Sequence, residues 1–414
     1  MAAVTVVKTI GSTGTFSTPQ LWEDGAPANL TTAEQSAAGT FAVASFTQGE
    51  SLTFVGSGAT GKFLHTDSTG VGTGTYVTYG ITTGNPAASD VVTGGSSGAT
   101  CILSSGTADF VGVVWQGRCQ NQEFSSATTV LTIGGSTMSS TTYKEITTVP
   151  GASFRDHANV QTNPLRYNAS NGCGFRTTGA ETQTVLLNNE SYNRVSKLQI
   201  VGTGLSAQAM INESPNHLVE YCLFEGTYDG TDATLGVLGG NDGGVTRNCV
   251  VIQRGDVANH IVGTGSVFSP EFYNCTFVAV DDLGTAPSCV FQSGLSGTIT
   301  VKNCALFAGD STKAIKAGSA TFNFTTCYSD ISGTSGVTQT TYSNEFQNVN
   351  DATRDFRLKA GAAQIDTGTT DATNAAIDIA GTARPSGAAY DVGAWEFVQQ
   401  AVVNVGWEST GQWL

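Results

Sequence analysis

A short phrase that contains cysteine recurs five times in the second half of the chain, and it constrains the fold more than any other feature. Its cysteines are spaced 27, 26, 29 and 23 residues apart, at Cys222, Cys249, Cys275, Cys304 and Cys327. An earlier copy, residues 195–200, has Leu198 in the cysteine position. A sequence period in the twenties indicates a solenoid, in which each repeat forms one turn of the chain.

The residues around each cysteine predict two strands joined by a tight corner. Apolar residues alternate from Cys275 to Phe277, but the step back to Phe272 is three residues, which breaks the two-residue period of a single strand. A bend at the residue before the cysteine restores the alternation. Three copies have asparagine there, at Asn248, Asn274 and Asn303. Because asparagine tolerates the left-handed conformation that a sharp corner needs, we expect the cysteine to point inward just after the corner.

Turns of about 26 residues have room for three short strands with loops, since strands average about 5–6 residues. The composition agrees, because 51 glycines and only 12% charged residues, beside 39% hydrophobic residues, are typical of an all-β chain with many turns. Leucine-rich repeats would need a regular Leu-x-x-Leu-x-Leu string, which is absent. The sequence therefore predicts an all-β fold, a right-handed parallel β-helix with an N-terminal cap and a small inserted β module.

The chain divides into four predicted parts. Residues 1–50 form the cap, in which Thr18 and Pro19 begin a short amphipathic helix that places Trp22 in the core of the cap. Residues 51–106 form the inserted module, because the Ser-Gly-Ala-Thr turn at residues 57–60 recurs at residues 97–100. Residues 107–397 form the β-helix, with a closing motif at residues 355–397, and residues 398–414 form a tail.

Several motifs resemble known phage and bacterial proteins. The segments 355–359, 365–368, 378–385 and 391–397 resemble the closing motif of right-handed parallel β-helix proteins of the choice-of-anchor type, and residues 9–24 resemble their entry. The module of paired turns is similar to a small β domain of bacteriophage structural proteins. The resemblance implies a fold shared by proteins of widely different function. One departure is that no sorting or anchoring tail follows Phe397.

We interpret the repeated polar residues as structural. A thiol is a small hydrophobic group that suits a narrow interior, so the five cysteines are expected to be reduced packing groups, with redox or metal chemistry as the alternative. The three asparagines are expected to form a ladder of side-chain amides and not to be ligands. In the closing motif, Asp366, Asp378 and Asp391 surround Arg384 in sequence and predict an arginine–carboxylate clamp that ties the last turn together. A sugar-binding role for Arg384 is the alternative.

The search for a catalytic site gives only weak candidates. Glycoside hydrolysis needs two carboxyl groups about 5–10 Å apart. Asp281 and Asp282 are the least weak pair, and Glu225, Asp229, Asp232, Asp242 and Asp256 are further acidic residues. All except Asp256 lie in stretches that look like loops between turns, where acidic residues are usually only solvated. We therefore expect no catalytic residues, no metal and no cofactor.

The net charge of −15 disfavours nucleic acid and anionic membranes as partners, because phosphate binding needs Lys and Arg, of which there are 18. The start of the sequence has no basic region followed by a long apolar one, so we expect no secretory signal and a protein made in a reducing host cytoplasm. The tail carries Trp407, Trp413 and Leu414, which are expected to form an interface.

These features favour a non-enzymatic protein of the virion surface, a head decoration or spike protein of a tailed phage. Its expected partners are other virion proteins and copies of itself, with a trimer as one option, and a glycan of the host surface is a further candidate. The alternatives are a phage tailspike that binds or cleaves host polysaccharide and, secondly, a bacterial surface adhesin, which the missing export signal disfavours.

Overall fold

The fold comes from a computed structural model. It describes residues 3–26, 30–31, 34–43, 46–47, 50–66, 76–84, 86–104, 109–156, 165–179, 184–203, 208–212, 214–226, 237–239, 244–254, 260–264, 269–280, 289–293, 297–350 and 353–398. Within these ranges the three helices are short, at Pro19–Asp24, Tyr342–Glu345 and Ala372–Ala375. Nearly all other regular structure is β.

Most strands stack into three parallel sheets, which we call sheets A, B and C. Sheet A contains Val4–Ile10, Val113–Cys119, Lys144–Thr148, Arg194–Ser196, His217–Glu220, Gly244–Arg247, Glu271–Tyr273, Thr298–Lys302 and Thr321–Thr325. Sheet B contains Glu123–Ser126, Gly174–Thr177, Gln199–Gly202, Leu223–Gly226, Val250–Arg254, Thr276–Val280, Ala305–Phe307, Cys327–Ser329 and Val337–Gln339. Sheet C contains Leu131–Ile133, Thr184–Asn188, Gln208–Asn212, Leu238–Gly239, His260–Thr264, Cys289–Ser293 and Ala314–Gly318.

The order of these strands defines the architecture. The chain passes through sheets A, B and C in turn, and each strand pairs in parallel with the corresponding strand of the next circuit, as Val250–Arg254 does with Thr276–Val280. This arrangement is a parallel β-solenoid, which confirms the prediction of an all-β fold built from stacked parallel strands.

A hydrophobic core runs through the inside of the solenoid. Residues from all three sheets contribute to it, for example Val301 of sheet A, Phe277 of sheet B and Phe291 of sheet C. The rings of Phe277 and Phe291 meet with their centroids 5.1 Å apart. Because neighbouring circuits bury their apolar residues against each other, no single repeat has a core of its own.

The outer face of sheet B is also buried along four adjacent strands, from Leu223–Gly226 to Ala305–Phe307. Leu223, Val250, Ile252, Val278 and Phe307 point away from the inner core and pack in a second cluster with residues of the C-terminal part of the chain. That part, residues 342–397, includes a two-stranded antiparallel sheet of Phe346–Asn348 and Asp355–Leu358. We call residues 342–397 the C-terminal cover.

The position of the C-terminal cover corrects one expectation. The closing motif was expected to tie together the last turn of the solenoid. Instead, it folds back along sheet B, and its contacts reach turns far from the end, since Asn374 meets Arg247 and Gly393 meets Asn303. A motif read only along the sequence does not reveal this return, because the contacts join residues up to 223 positions apart.

The helix Pro19–Asp24 packs at the first circuits of the solenoid. Thr18 caps it by accepting a hydrogen bond from the Leu21 N–H at 3.2 Å. Trp22 is fully buried in the inner core, and a Cβ on Gly117 would come within 2.7 Å of its ring. The approach of the tryptophan to sheet A therefore requires glycine at position 117. The buried Lys144 ammonium lies 2.5 Å from Glu23 of the helix, which ties the helix to sheet A.

A separate antiparallel sheet is inserted between the first and second strands of sheet A. Its strands, in sheet order, are Tyr76–Thr83, Thr60–Thr66, Ser51–Val55, Val91–Gly94, Thr100–Leu103, Glu34–Val43 and Asp109–Val111. It therefore extends on both sides of the predicted range 51–106. Strand Glu34–Val43, which falls within the predicted cap, pairs with Thr100–Leu103.

The two Ser-Gly-Ala-Thr turns of this sheet are each held by an acidic residue from the other half of the duplication. Glu50 accepts hydrogen bonds from the Ser96 and Ser97 N–H groups, both at 2.9 Å, and from the Ser97 hydroxyl at 2.6 Å. Asp90 accepts from the Ser57 N–H at 2.9 Å and from the Ser57 hydroxyl. Glu50 and Asp90 are 40 residues apart, as the two turns are, so the duplicated unit contains both a turn and an acidic residue. The acidic residue of each half binds the turn of the other half.

The Glu50 carboxylate gives the antiparallel sheet a defined dependence on acid. Burial raises the pKa of Glu50, but hydrogen bonds from Ser97, Ser96 and Thr47 outweigh it and lower the pKa to about 2. A carboxyl whose pKa is lower in the folded state contributes stability above its unfolded pKa and loses it as the pH falls toward its folded pKa. We therefore expect this contribution to disappear between about pH 4.5 and pH 2.

Replacing Glu50 with glutamine tests this expectation. At pH 7 the variant is expected to lose about 2 kcal/mol of stability, because the charge-assisted hydrogen bonds weaken. Thermal unfolding from pH 7 to pH 2.5 should show a smaller fall in Tm for Glu50→Gln than for the parent chain. The buried carboxyls Asp378, Asp391 and Glu396 have raised pKa values and cannot mimic this change, since their contribution has the opposite sign. Parallel Tm curves for both proteins would contradict the assignment.

Candidate functional site

The five repeated cysteines lie at equivalent positions just before, or at the start of, successive strands of sheet B. All five are fully buried in the inner core. Backbone groups contact the thiol of the next circuit, because the Cys222 N–H donates to Cys249 Sγ and the Cys275 N–H donates to Cys304 Sγ, both at 3.4 Å. All nine cysteines of the chain are buried, and none of them is joined in a disulfide. Burial raises the pKa of Cys327 to about 12, so this thiol is a poor nucleophile at neutral pH.

The cysteine environment predicts a simple titration result. The native protein is expected to react with a thiol reagent at fewer than one site on the time scale of minutes, because the sulfur atoms are enclosed. In denaturant without reductant all nine cysteines should react. Fewer than nine reactive thiols in the denatured chain would show that disulfides form in the mature protein.

The residues before the cysteines form a column of left-handed corners between sheets A and B. Asn248, Asn274 and Asn303 have φ values of 50°, 48° and 53°. Lys197, Tyr221 and Thr326 occupy the same position in other circuits, with φ values of 63°, 55° and 51°. The backbone therefore makes the same corner whether or not the residue is asparagine, and asparagine is the least strained choice among them.

The asparagine side chains bind the C-terminal cover more than they bind each other. Asn303 donates to the Thr369 carbonyl at 2.7 Å and accepts from the Thr369 N–H at 3.0 Å, whereas its contact with Asn274 is longer, at 3.4 Å. Asn274 donates to the Asp391 carbonyl at 3.3 Å, and Asn248 donates to the Asn374 carbonyl at 3.1 Å. The expected ladder of amides is thus a row of anchors for the C-terminal cover.

Thr326 is the corner residue at which a stabilising substitution is expected. Its branched Cβ makes a φ of 51° costly, and the strain of a left-handed non-glycine residue is about 1–2 kcal/mol. Thr326→Asn should raise the free energy of unfolding by about 1 kcal/mol, measured by denaturant titration. The neighbour Thr325 lies in a sheet A strand, so Thr325→Asn is the control and should not stabilise. Equal effects of the two substitutions would contradict the strain argument.

Arg384 does not make the predicted clamp with Asp366, Asp378 and Asp391. Its guanidinium donates to the carbonyls of Asp391 and Gly393, both at 2.8 Å, and its nearest carboxylate is Glu396, at 3.4 Å. The carboxylates of Asp366, Asp378 and Asp391 instead accept backbone N–H groups of neighbouring loops, at 2.7–3.0 Å in the bonds from Ala389, Ala380, Thr382 and Asp366. The sequence spacing placed the right residues together but did not reveal that the backbone supplies most of their partners.

The remaining predicted residues lie outside the part of the chain that the structure describes. These are the weak catalytic candidates Asp281 and Asp282 and the predicted interface residues Trp407, Trp413 and Leu414. Of the other acidic residues considered, Glu225 is described, and it is buried.

A cleft rich in arginine lies over the outer face of sheet B, and we call it the arginine cleft. It has a volume of about 530 Å³ and is lined by Arg166, Tyr167, Asn168, Ala169, Arg176, Val201, Thr203, Glu225, Arg254 and Arg354. Arg176, Val201 and Glu225 are direct neighbours on three adjacent strands of sheet B. Arg354 comes from the C-terminal cover, and Arg166 precedes Tyr167 in the segment that begins at residue 165. No pattern in the sequence predicted this site, because its arginines come from segments up to 188 residues apart.

Glu225 is held in place by residues of the arginine cleft. Its Oε1 atom lies 2.5 Å from Arg354 Nη2 and 3.2 Å from Arg254 Nη1, and its Oε2 atom accepts from the Tyr167 N–H at 3.3 Å. On the other side, Arg176 Nη1 lies 3.8 Å from Glu123, whose carboxylate also accepts a hydrogen bond from the Tyr167 hydroxyl. Burial and this hydrogen bond raise the pKa of Tyr167, so its phenol remains protonated at neutral pH.

A larger groove lies between the outer face of sheet A and the C-terminal cover. Its volume is about 1180 Å³, and Gln116, Arg118, Glu145, Asp156, Lys197 and Trp395 are among the residues that line it. Glu145 accepts from the Gln116 amide at 2.8 Å, and Asp156 accepts from the Ser153 N–H at 2.8 Å. The groove thus combines an aromatic side chain with carboxylates and amides.

Within the described ranges, no group of three or more His, Cys, Asp or Glu side chains is arranged to hold a metal ion. None of the helices found there has the length and apolar character that a membrane crossing requires. Comparisons with protein families, with characterised proteins and with solved structures give no match to this chain.

Proposed function

We propose that the chain is a non-enzymatic structural component of a virus particle surface, a head decoration or spike protein of a tailed phage. The observation that carries this proposal is the burial of four adjacent strands of sheet B on both faces, by the inner core and by the C-terminal cover. The whole sheet of nine stacked strands spans about 38 Å at roughly 4.8 Å per strand. A column of this length, packed on both sides along its middle, suits a part that must keep its shape while it projects from an assembly. The resemblance of the closing and entry motifs to phage β-helix proteins supplies the setting.

The use of the buried acidic residues also supports a structural role. Glu225 is ion-paired with two arginines, and Asp378, Asp391 and Glu396 accept backbone N–H groups. Hydrogen bonds to charged groups stabilise a fold by about 1.5–3 kcal/mol each. Carboxylates bound in this way hold loops in place and are poor candidates for proton transfer.

The test is to measure the chain in purified particles. If it is a virion component, quantitative mass spectrometry of gradient-purified phage should give a fixed copy number per particle, and antibody labelling should locate it on the outside. Adding the purified chain to particles that lack it should restore that copy number. A chain found only in the soluble fraction of the lysate would refute the proposal.

The C-terminal residues 401–414 are proposed as the attachment segment. A chain ending at residue 400 is then expected to keep its thermal stability, while its copy number per particle falls at least ten-fold. A full-length chain with Trp407→Ser and Trp413→Ser separates the tryptophans from chain length. Normal incorporation of both chains would show that another surface makes the attachment.

A second candidate function is binding or cleavage of host polysaccharide, and the groove over sheet A favours it. Trp395 offers an aromatic surface for a sugar ring, and Glu145 and Asp156 offer carboxylates. If the groove cleaves polysaccharide, the chain should release reducing ends or unsaturated products from host capsule, and Glu145→Gln with Asp156→Asn should abolish the release. Turnover that survives both substitutions would exclude this groove as the site.

A further inference from the structure

The arginine cleft concentrates positive charge in a protein that is acidic overall. The chain has 33 acidic and 18 basic residues, yet four arginines line this one cleft, with Glu225 as the only carboxylate among its described lining residues. The formal charges of these described lining residues sum to about +3. Like charges brought together in this way repel each other unless an anion is present.

Glu225 and Glu123 hold three of the four arginines in place. Glu225 is 2% exposed and lies between Arg254 and Arg354, so it holds both guanidinium groups in place. Glu123 lies 3.8 Å from Arg176. Each guanidinium carries five N–H donors in a planar fork. A preorganised set of donors binds more tightly than a mobile one, because less conformational entropy is lost on binding.

Two of the arginines reach solvent and can meet a ligand. The side chains of Arg176 and Arg254 are 41% and 40% exposed. Arg176 Nε has no hydrogen-bond acceptor among the described residues. Asn168 and Thr203 add neutral polar groups to the lining. The volume of about 530 Å³ falls within the range of sites for small molecules.

We infer that the arginine cleft is a binding site for a small organic oxyanion, a ligand that carries a carboxylate or phosphate group on a body the size of one or two sugar rings. The guanidinium groups of Arg176 and Arg254 hold the charged group, because their planar donor pairs match two oxygens of a carboxylate or phosphate. Asn168 and Thr203 contact the uncharged part. The site is independent of the proposed attachment to a particle, which uses other residues.

The experiment compares three probes on the full-length protein by ligand-observed NMR titration: D-glucuronate, D-glucose and inorganic phosphate. Glucuronate and glucose differ by one carboxylate, so glucuronate should bind and glucose should bind at least ten-fold more weakly. If phosphate also binds, the cleft accepts both carboxylate and phosphate groups. If glucuronate binds and phosphate does not, the cleft is specific for carboxylates. Raising the salt concentration should weaken binding. Equal binding of glucuronate and glucose, or no binding of either charged probe, would overturn the inference.

Variants place the binding in the cleft. Arg176→Gln and Arg254→Gln should each raise the Kd for glucuronate about ten-fold or more, and Arg176→Lys should restore part of the loss. Lys313→Gln, which removes one positive charge from an exposed site outside the cleft, should leave the Kd unchanged. Arg176 is partly exposed, so its variants are expected to fold. Circular dichroism and the copy number on particles check this. An unchanged Kd in both arginine variants would refute the site and leave the proposed function standing.

Discussion

Replacing Arg384 with alanine is expected to lower the free energy of unfolding by about 3–5 kcal/mol, because it removes one member of a buried ion pair. The Arg384 and Glu396 side chains are both 0% exposed, and the guanidinium also binds two backbone carbonyls. The pKa of Glu396 is raised, because burial raises it by more than the backbone hydrogen bond from Ser386 and the charge of Arg384 lower it. Without the arginine, the Glu396 carboxyl should take up a proton at a higher pH, and the loop around Gly393 should lose its anchor.

Denaturant unfolding and hydrogen exchange measure these effects. Exchange should increase in peptides from residues 369–396, where the C-terminal cover meets the asparagine corners, while the inner strands keep their protection. The control is Arg357→Ala, because Arg357 pairs with Asp355 near the surface, where an ion pair contributes about 0–1 kcal/mol. If both variants lose the same stability, Arg384 is not the anchor of the C-terminal cover.

Replacing Trp22 with alanine is expected to cost about 3–5 kcal/mol, the usual effect of removing a buried tryptophan side chain. The ring is 0% exposed and packs against the backbone at Gly117, so its loss leaves a cavity at the first circuits of the solenoid. Trp115 Nε1 also donates to the Trp22 carbonyl at 3.2 Å, which links the helix to sheet A.

The adjacent Leu21 provides a matched control on the same helix. Its side chain is 49% exposed, so Leu21→Ala should change stability by less than about 1 kcal/mol. Chemical denaturation monitored by circular dichroism compares the two variants. If Trp22→Ala also loses less than about 1 kcal/mol, the burial of Trp22 does not stabilise the solenoid.

The solenoid could be predicted from the sequence because its signal is local and repeated. Cys249, Cys275 and Cys304 each follow a corner residue with positive φ, so the break in alternation pointed to a real bend. A period in the twenties then left few alternatives.

The C-terminal cover could not be predicted in the same way, since its contacts are distant in sequence and occur once. A signal was nevertheless present in sheet B. Val250, Val251 and Ile252 are consecutive apolar residues, a pattern typical of strands that are buried on both faces. This apolar pattern indicated that another part of the chain covers the outer face of sheet B, but it did not identify the segment. The arginine cleft carried no such signal, because it forms only where the C-terminal cover brings Arg354 to Glu225 of sheet B.

The two halves of the antiparallel sheet depend on each other, because Glu50 of one half binds the turn of the other and Asp90 does the converse. Either half alone would have a turn without its acceptor and an acceptor without its turn, so each half alone is expected to be less stable than the two together. In two copies of one half, the acidic residue of each copy could accept the hydrogen bonds of the other copy's turn. A fragment that contains one half is therefore expected to pair with a second copy. Covalent linkage of the two halves in one polypeptide turns that encounter between molecules into an internal one, at an effective concentration that no dilution reduces.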